Sequence, residues 1–103
     1  MTSQGSPYSR FRRALKTGNL SIVTAAAAEL PQLDLPDALD VLVVIADQDA
    51  QRYPRAAGRF LHRLAAERSG ITLEEMRVAV AACEVLPRQA AAASVLRDLV
   101  SIR

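Results

Sequence analysis

"DLPDALDVLVVIADQD", residues 34–49, decides the fold. Its centre, "VLVVI", is rich in β-branched residues and on its own reads as a strand. Two features of the surroundings reverse that reading. The helical pattern runs on through Asp47, and the chain offers no second segment to pair with a strand. The stretch also begins as helices begin, with Asp34 at an N-cap position and Asp37 as an acid in the first turn. At about 100° per residue, Asp37, Asp40 and Asp47 fall within an arc of about 80°, with Val44 among them. The remaining positions are almost wholly apolar, and a helix apolar over so wide an arc is packed on two sides. This segment is therefore expected to be the central helix of an all-α domain.

Working outward, "TGN" at 17–19 separates a helix over about 7–16 from one over about 20–29, the second capped by Asn19. After the "QRYP" turn a fourth helix is expected from Tyr53 to Arg68, stopped by Ser69 and Gly70. "TLEE" at 72–75 is a capping box and opens a fifth helix running to about Leu86. Pro87 breaks it, and a sixth is expected from about Arg88 to the end of the chain. Residues 1–6 are polar and interrupted by Gly5, which predicts a disordered tail before a single helical domain over 7–103. "DLPDALDVLVVIA" at 34–46 and "TLEEMRVAVAACE" at 72–84 share a layout about 38 residues apart, each followed by an Arg/Ala-rich helix. The expected architecture is about six short helices in consecutive antiparallel hairpins, arranged as a compact orthogonal bundle or a short helical-repeat solenoid.

The phrases "RALKTGNL", "LDLPDALDVL", "RFLHRL" and "ITLEEM" give the chain a resemblance to short, alanine- and arginine-rich, all-helical hypothetical proteins of actinobacteria. These phrases are spread over roughly 60 residues, from 13 to 76. None of the phrases is a catalytic motif, so it implies a helical fold and carries over neither an activity nor a site residue.

Composition narrows the function classes. The chain has 103 residues, half of them hydrophobic, with 19 Ala and no Trp, so the core is built of small side chains. No apolar run approaches the roughly 18–20 residues of a membrane span, which argues against a membrane partner. "MTSQGSPYSR" at the N-terminus lacks a secretory h-region, and a single cysteine forms no internal disulfide; both predict a cytoplasmic protein. The net charge of +2 is unevenly spread. Residues 1–16 hold Arg10, Arg12, Arg13 and Lys16 and no acid; residues 17–51 hold six acids and no base; residues 52–103 are again basic.

The candidate sites are few. In "RYPRAAGRFLHRLAAER", Tyr53, Ala57, Phe60, Leu61 and Leu64 form the core face, and Arg52, Arg55, Arg59 and Arg63 cluster on nearly the opposite side. His62 lies at the edge of that stripe, exposed and beside cations rather than an orienting acceptor, which makes it a poor general base. One His and one Cys cannot supply a zinc site, the four glycines are isolated, and Glu74 and Glu75 point about 100° apart in a capping box. Cys83 falls on the apolar face of helix five with Leu73, Met76 and Val80. No catalytic residue, cofactor or metal is expected.

Most simply, the arginine stripe is a solvated face partly paired with Asp37, Asp40 and Asp47 of the preceding helix. Its functional readings are an acidic protein partner or, alternatively, nucleic acid bound by the stripe together with Arg10, Arg12 and Arg13. Helix five carries a second apolar strip at Val78, Ala81 and Val85, while Leu96 and Val100 widen the apolar arc of helix six. Either the two helices pack these residues together, or Val78, Val85, Leu96 and Val100 form a self-association face. The expectation is thus a non-catalytic helical protein-interaction domain, binding an unknown partner or itself, with accessory nucleic-acid binding as the alternative.

Overall fold

A computed structural model describes residues 5–101. Among them are six helices and no strand: α1 Pro7–Thr17, α2 Leu20–Ala27, α3 Leu35–Gln48, α4 Tyr53–Glu67, α5 Leu73–Val85 and α6 Ala92–Ser101. The "VLVVI" run lies inside α3, whose entry has Asp34 in extended conformation at the N-cap and Pro36 in the first turn. Asp34 makes no side-chain capping bond. Residues 1–4 of the expected tail lie outside the described residues. Ser6 does not belong to a tail: it caps α1, its hydroxyl accepting from the Ser9 N–H at 3.3 Å. Gly18 ends α1 at φ 65°, a left-handed position that a side chain would strain. Asn19 caps α2 by accepting from the Ile22 N–H at 3.2 Å.

Helix α6 starts at Ala92 and not near Arg88. The N–H groups of Arg88 and Gln89 both turn back to Val85 O, at 2.9 and 2.8 Å, closing one turn over 86–88 before the chain is redirected through 89–91. The alanines at 90 and 91 favour helix, but the return of α6 onto the core overrides that local preference.

Helix α3 packs against α1, α2, α4 and α6, the widest set of neighbours in the fold. Helices α3, α4, α5 and α6 touch in a closed ring, each meeting the next in sequence and α6 returning to α3. The helices therefore close into a bundle. The main core joins α3, α4, α5 and α6 through residues including Leu39, Leu42, Phe60, Leu64, Ala79, Cys83 and Leu96. Full burial of a leucine such as Leu39, Leu64 or Leu96 contributes about 1.5–3 kcal/mol. A second, smaller core holds Phe11, Ala14 and Val23 between α1 and α2, with Leu33 and Val41 packed against it.

The acids of α3 do not all face water, nor do they pair with the α4 stripe. Asp37 is 6% exposed and accepts from Arg12 Nη1 at 3.0 Å and from the Tyr8 hydroxyl at 3.3 Å. Asp40 accepts from Arg12 Nη1 at 3.1 Å and from Arg97 Nη2 at 3.1 Å. The bond to Asp40, helped by Asp37, holds the Arg12 guanidinium above its ordinary pKa. Asp37 and Asp40 thus bolt α1 and α6 onto the central helix.

The two sides of that bolt are unequal. Removing Asp37 leaves Arg12 and Tyr8 half-exposed and free to bind water, whereas removing Arg12 leaves a carboxylate buried with one long hydrogen bond. Arg12→Ala is expected to cost about 2–3 kcal/mol and Asp37→Ala about 1 kcal/mol in urea unfolding. A larger loss for Asp37→Ala would refute that inequality.

Candidate docking groove between α3 and α4

Arg63 Nη2 donates to Leu33 O, just before α3, at 2.9 Å, while the 49–52 turn joins the far end of α3 to the start of α4. The two helices therefore run antiparallel. That turn is fixed by Asp49, whose carboxylate accepts from the Arg52 N–H at 3.1 Å. Between the helices lies a groove of about 530 Å³. Its floor is apolar: Leu33, Ala38, Val41, Leu42 and Ile45 from the α3 side, Ala56 and Phe60 from α4. Its α4 rim is Arg52, Arg55, Arg59 and Arg63. The sequence brought these four arginines onto one face; the structure adds the trench beside them, which needs α3 in place.

The rim is not electrostatically satisfied. Arg63 is half-buried and committed: besides Leu33 O, its Nε donates to Glu67 at 2.7 Å, which holds the Glu67 carboxyl below its usual range. The guanidiniums of Arg52, Arg55 and Arg59 form no ion pair among the described residues, and all three are exposed. Three partnerless cations thus follow one another at helical spacing along an apolar trench about 16 Å long, at 1.5 Å per residue from Arg52 to Arg63. Beyond Arg52 a shallower depression continues over Leu20, Thr24 and Ala25 of α2.

The N-terminal arginines are differently placed. Arg10 binds Glu29 at 2.5 Å, Arg12 binds Asp37 and Asp40, and Arg13 also has a partner within the chain. They do not join the α4 stripe in a continuous basic face. Ion pairing across 19 to 28 residues is invisible to a reading of each helix alone.

The proposed self-association residues also divide. Val78 is 44% exposed, and Val85 lies beside it in a surface depression shared with Ala92 and Val95 of α6. Leu96 is fully buried and is not a surface residue, whereas Val100 is half-buried, packed against the main core. The wide apolar arc of α6 serves two neighbours, α5 and α3.

His62 is exposed, with no hydrogen bond or ion pair among the described residues. Cys83 is 3% exposed, and burial pushes its thiol up to about 11, which suppresses the reactive thiolate. The Tyr53 hydroxyl, missed as a polar core contact, donates to Cys83 O at 2.6 Å and ties α4 to α5. Among the described residues, no group of three His, Cys, Asp or Glu side chains could hold a metal ion, and no helix is long and apolar enough to cross a membrane. Compared with family models, curated proteins and solved structures, the chain matches none.

Proposed function

We propose that this chain is a non-catalytic interaction domain whose α3/α4 groove takes an acidic, amphipathic helix from a partner protein. The observation that carries the reading is the pairing of an apolar floor with three partnerless arginines on one rim. A helix with apolar side chains at i, i+3, i+4 and i+7 would fill the trench, and acids on its flank would meet Arg52, Arg55 and Arg59. The arginine spacing of three and then four residues matches that of acids on one helical face. Leu42, Ile45 and Phe60 are already almost fully buried, so a ligand would cover mainly Leu33, Ala38, Val41 and Ala56. So small an apolar contact fits a transient complex.

Nucleic acid is the less favoured partner because phosphates have no use for the apolar floor. Arg10 and Arg12, which were to extend the basic surface, are neutralised by Glu29, Asp37 and Asp40.

The test is fluorescence anisotropy with a labelled amphipathic peptide of about 15 residues, Leu on one face and Glu along its edge. Binding is expected to weaken at least about tenfold in Arg55→Glu/Arg59→Glu, a loss of about 1.4 kcal/mol. A scrambled peptide of equal charge should bind poorly. Equal binding of the scramble, or tighter binding of single-stranded DNA with a steep salt dependence, would replace this reading with a polyanion site.

A further inference from the structure

Helix α5 presents a second surface, independent of the groove. Its outward face carries Glu74, Arg77, Val78, Ala81, Glu84 and Val85, with Arg88 in the turn that follows. The N–H groups of Arg88 and Gln89 bond to Val85 O at 2.9 and 2.8 Å, so one turn beyond the end of α5 carries Arg88. Positions 74, 78, 81, 85 and 88 are spaced four, three, four and three, the pattern of a helix that packs lengthwise against another. Yet no helix of this chain covers them. Val78 is 44% exposed and Val95 of α6, beside it, 39%. Glu74, Arg77, Glu84 and Arg88 are all exposed and form no ion pair among the described residues.

The order of these groups identifies the occupant. At about 100° per residue, Glu74, Ala81 and Arg88 run along the middle of the face. Val78 and Val85 form one flank, toward α6, and Arg77 and Glu84 form the other. When two copies of such a helix pack antiparallel about a two-fold axis, each flank meets the same flank of the other copy. An axis at Ala81 sets Arg77 of each copy opposite Glu84 of the other. It sets Val78 opposite Val85 on the other flank, and Glu74 opposite Arg88 at both ends. Each of the four charges on this face then finds an opposite one. Ala81, meeting itself on the axis, allows the two helices to approach closely. A parallel pair would instead set the charged flank against the valines.

We propose that the α5 face is a homodimer interface, two copies of this chain packing α5 against α5 antiparallel about an axis at Ala81. The α3/α4 groove, built on other helices, remains open in both copies.

The test is sedimentation equilibrium on the full chain. Wild type is expected at twice the 11.1 kDa chain mass, with Ala81→Glu at the mass of one chain because two like charges meet on the axis. Circular dichroism of Ala81→Glu should match wild type, since residue 81 is exposed. Arg77→Glu and Glu84→Arg should each be monomeric alone and form a mixed dimer when combined, because each supplies the charge the other lacks. A monomeric wild type at millimolar concentration overturns the proposal. So does a dimer that survives Ala81→Glu, or a mixture of the two charge variants that stays monomeric.

Discussion

Phe11→Ala is expected to release α1 and α2 while α3–α6 stay folded. Phe11 is fully buried and is by far the largest side chain of the small core it shares with Ala14 and Val23. Truncating a buried phenylalanine costs about 3–5 kcal/mol. Two small side chains cannot collapse to refill the space. None of the buried residues of the main core comes from α1 or α2; Leu20 is the one residue of those helices packed against it. The larger core therefore keeps its contacts when the smaller one opens. What then holds the first two helices is polar: Arg12 and Tyr8 on Asp37, and Gln48, whose side chain accepts from the Leu20 N–H at 2.8 Å and donates to Gly18 O. Such bonds contribute about 1 kcal/mol each. Hydrogen exchange should show amides of α1 and α2 exchanging orders of magnitude faster in Phe11→Ala, with protection in α5 little changed. Acceleration of all six helices together would mean that the two cores unfold as one unit.

The groove should feel that release at both ends. Leu33 and Val41 line it and also pack against the smaller core, so they connect the two. Arg63 holds Leu33 through its carbonyl from the α4 side, and Ile45, Ala56 and Phe60 belong to the main core or its margin. The Arg52 end of the trench adjoins Leu20, Thr24 and Ala25 of α2, so it borders the released helices as well.

What could be read from the sequence was whatever one helix settles by itself. The capping box at Thr72, Gly18 and Asn19 at a helix junction, and the arginine face of α4 depend only on neighbours along the chain. Asp37 was set against the arginines of α4 because a wheel shows the face of a helix and not which neighbour meets it. Its burial depends on Arg12 and Tyr8 arriving from 25 and 29 residues away. Leu96 was misplaced for a related reason. An apolar arc wider than one contact looks like a free surface until α3 is seen to occupy the second side. The groove itself could not be read, because a trench is a property of two helices. Only its arginine rim belongs to one.

The junction of α4 and α5 carries the second large effect expected. Arg68 caps the end of α4 with its side chain only 8% exposed, and among the described residues its guanidinium makes one bond, from Nη2 to Glu75 Oε2 at 3.0 Å. Nε and Nη1 are buried without a partner. The other oxygen of Glu75 accepts from the Thr72 N–H at 2.9 Å, so one carboxylate both closes the capping box and neutralises a buried cation. Losing the cap alone, as in Thr72→Ala, costs about 1 kcal/mol. Glu75→Ala should cost clearly more, because it also strands the Arg68 guanidinium, and an unpaired buried charge is worse than no charge. Adding Arg68→Met to Glu75→Ala should therefore restore part of the lost stability, although it removes a second native side chain. The Thr72 N–H and Arg68 hold the Glu75 carboxyl below its usual range. Its contribution is thus present above the unfolded-state value and lost as pH falls through the folded one. Wild type should approach the stability of Glu75→Ala on acidification, while at neutral pH the two stay apart. If Arg68→Met recovers nothing, or if Glu75→Ala equals Thr72→Ala, the residue acts as a cap alone and Arg68 finds its counter-charge in solvent.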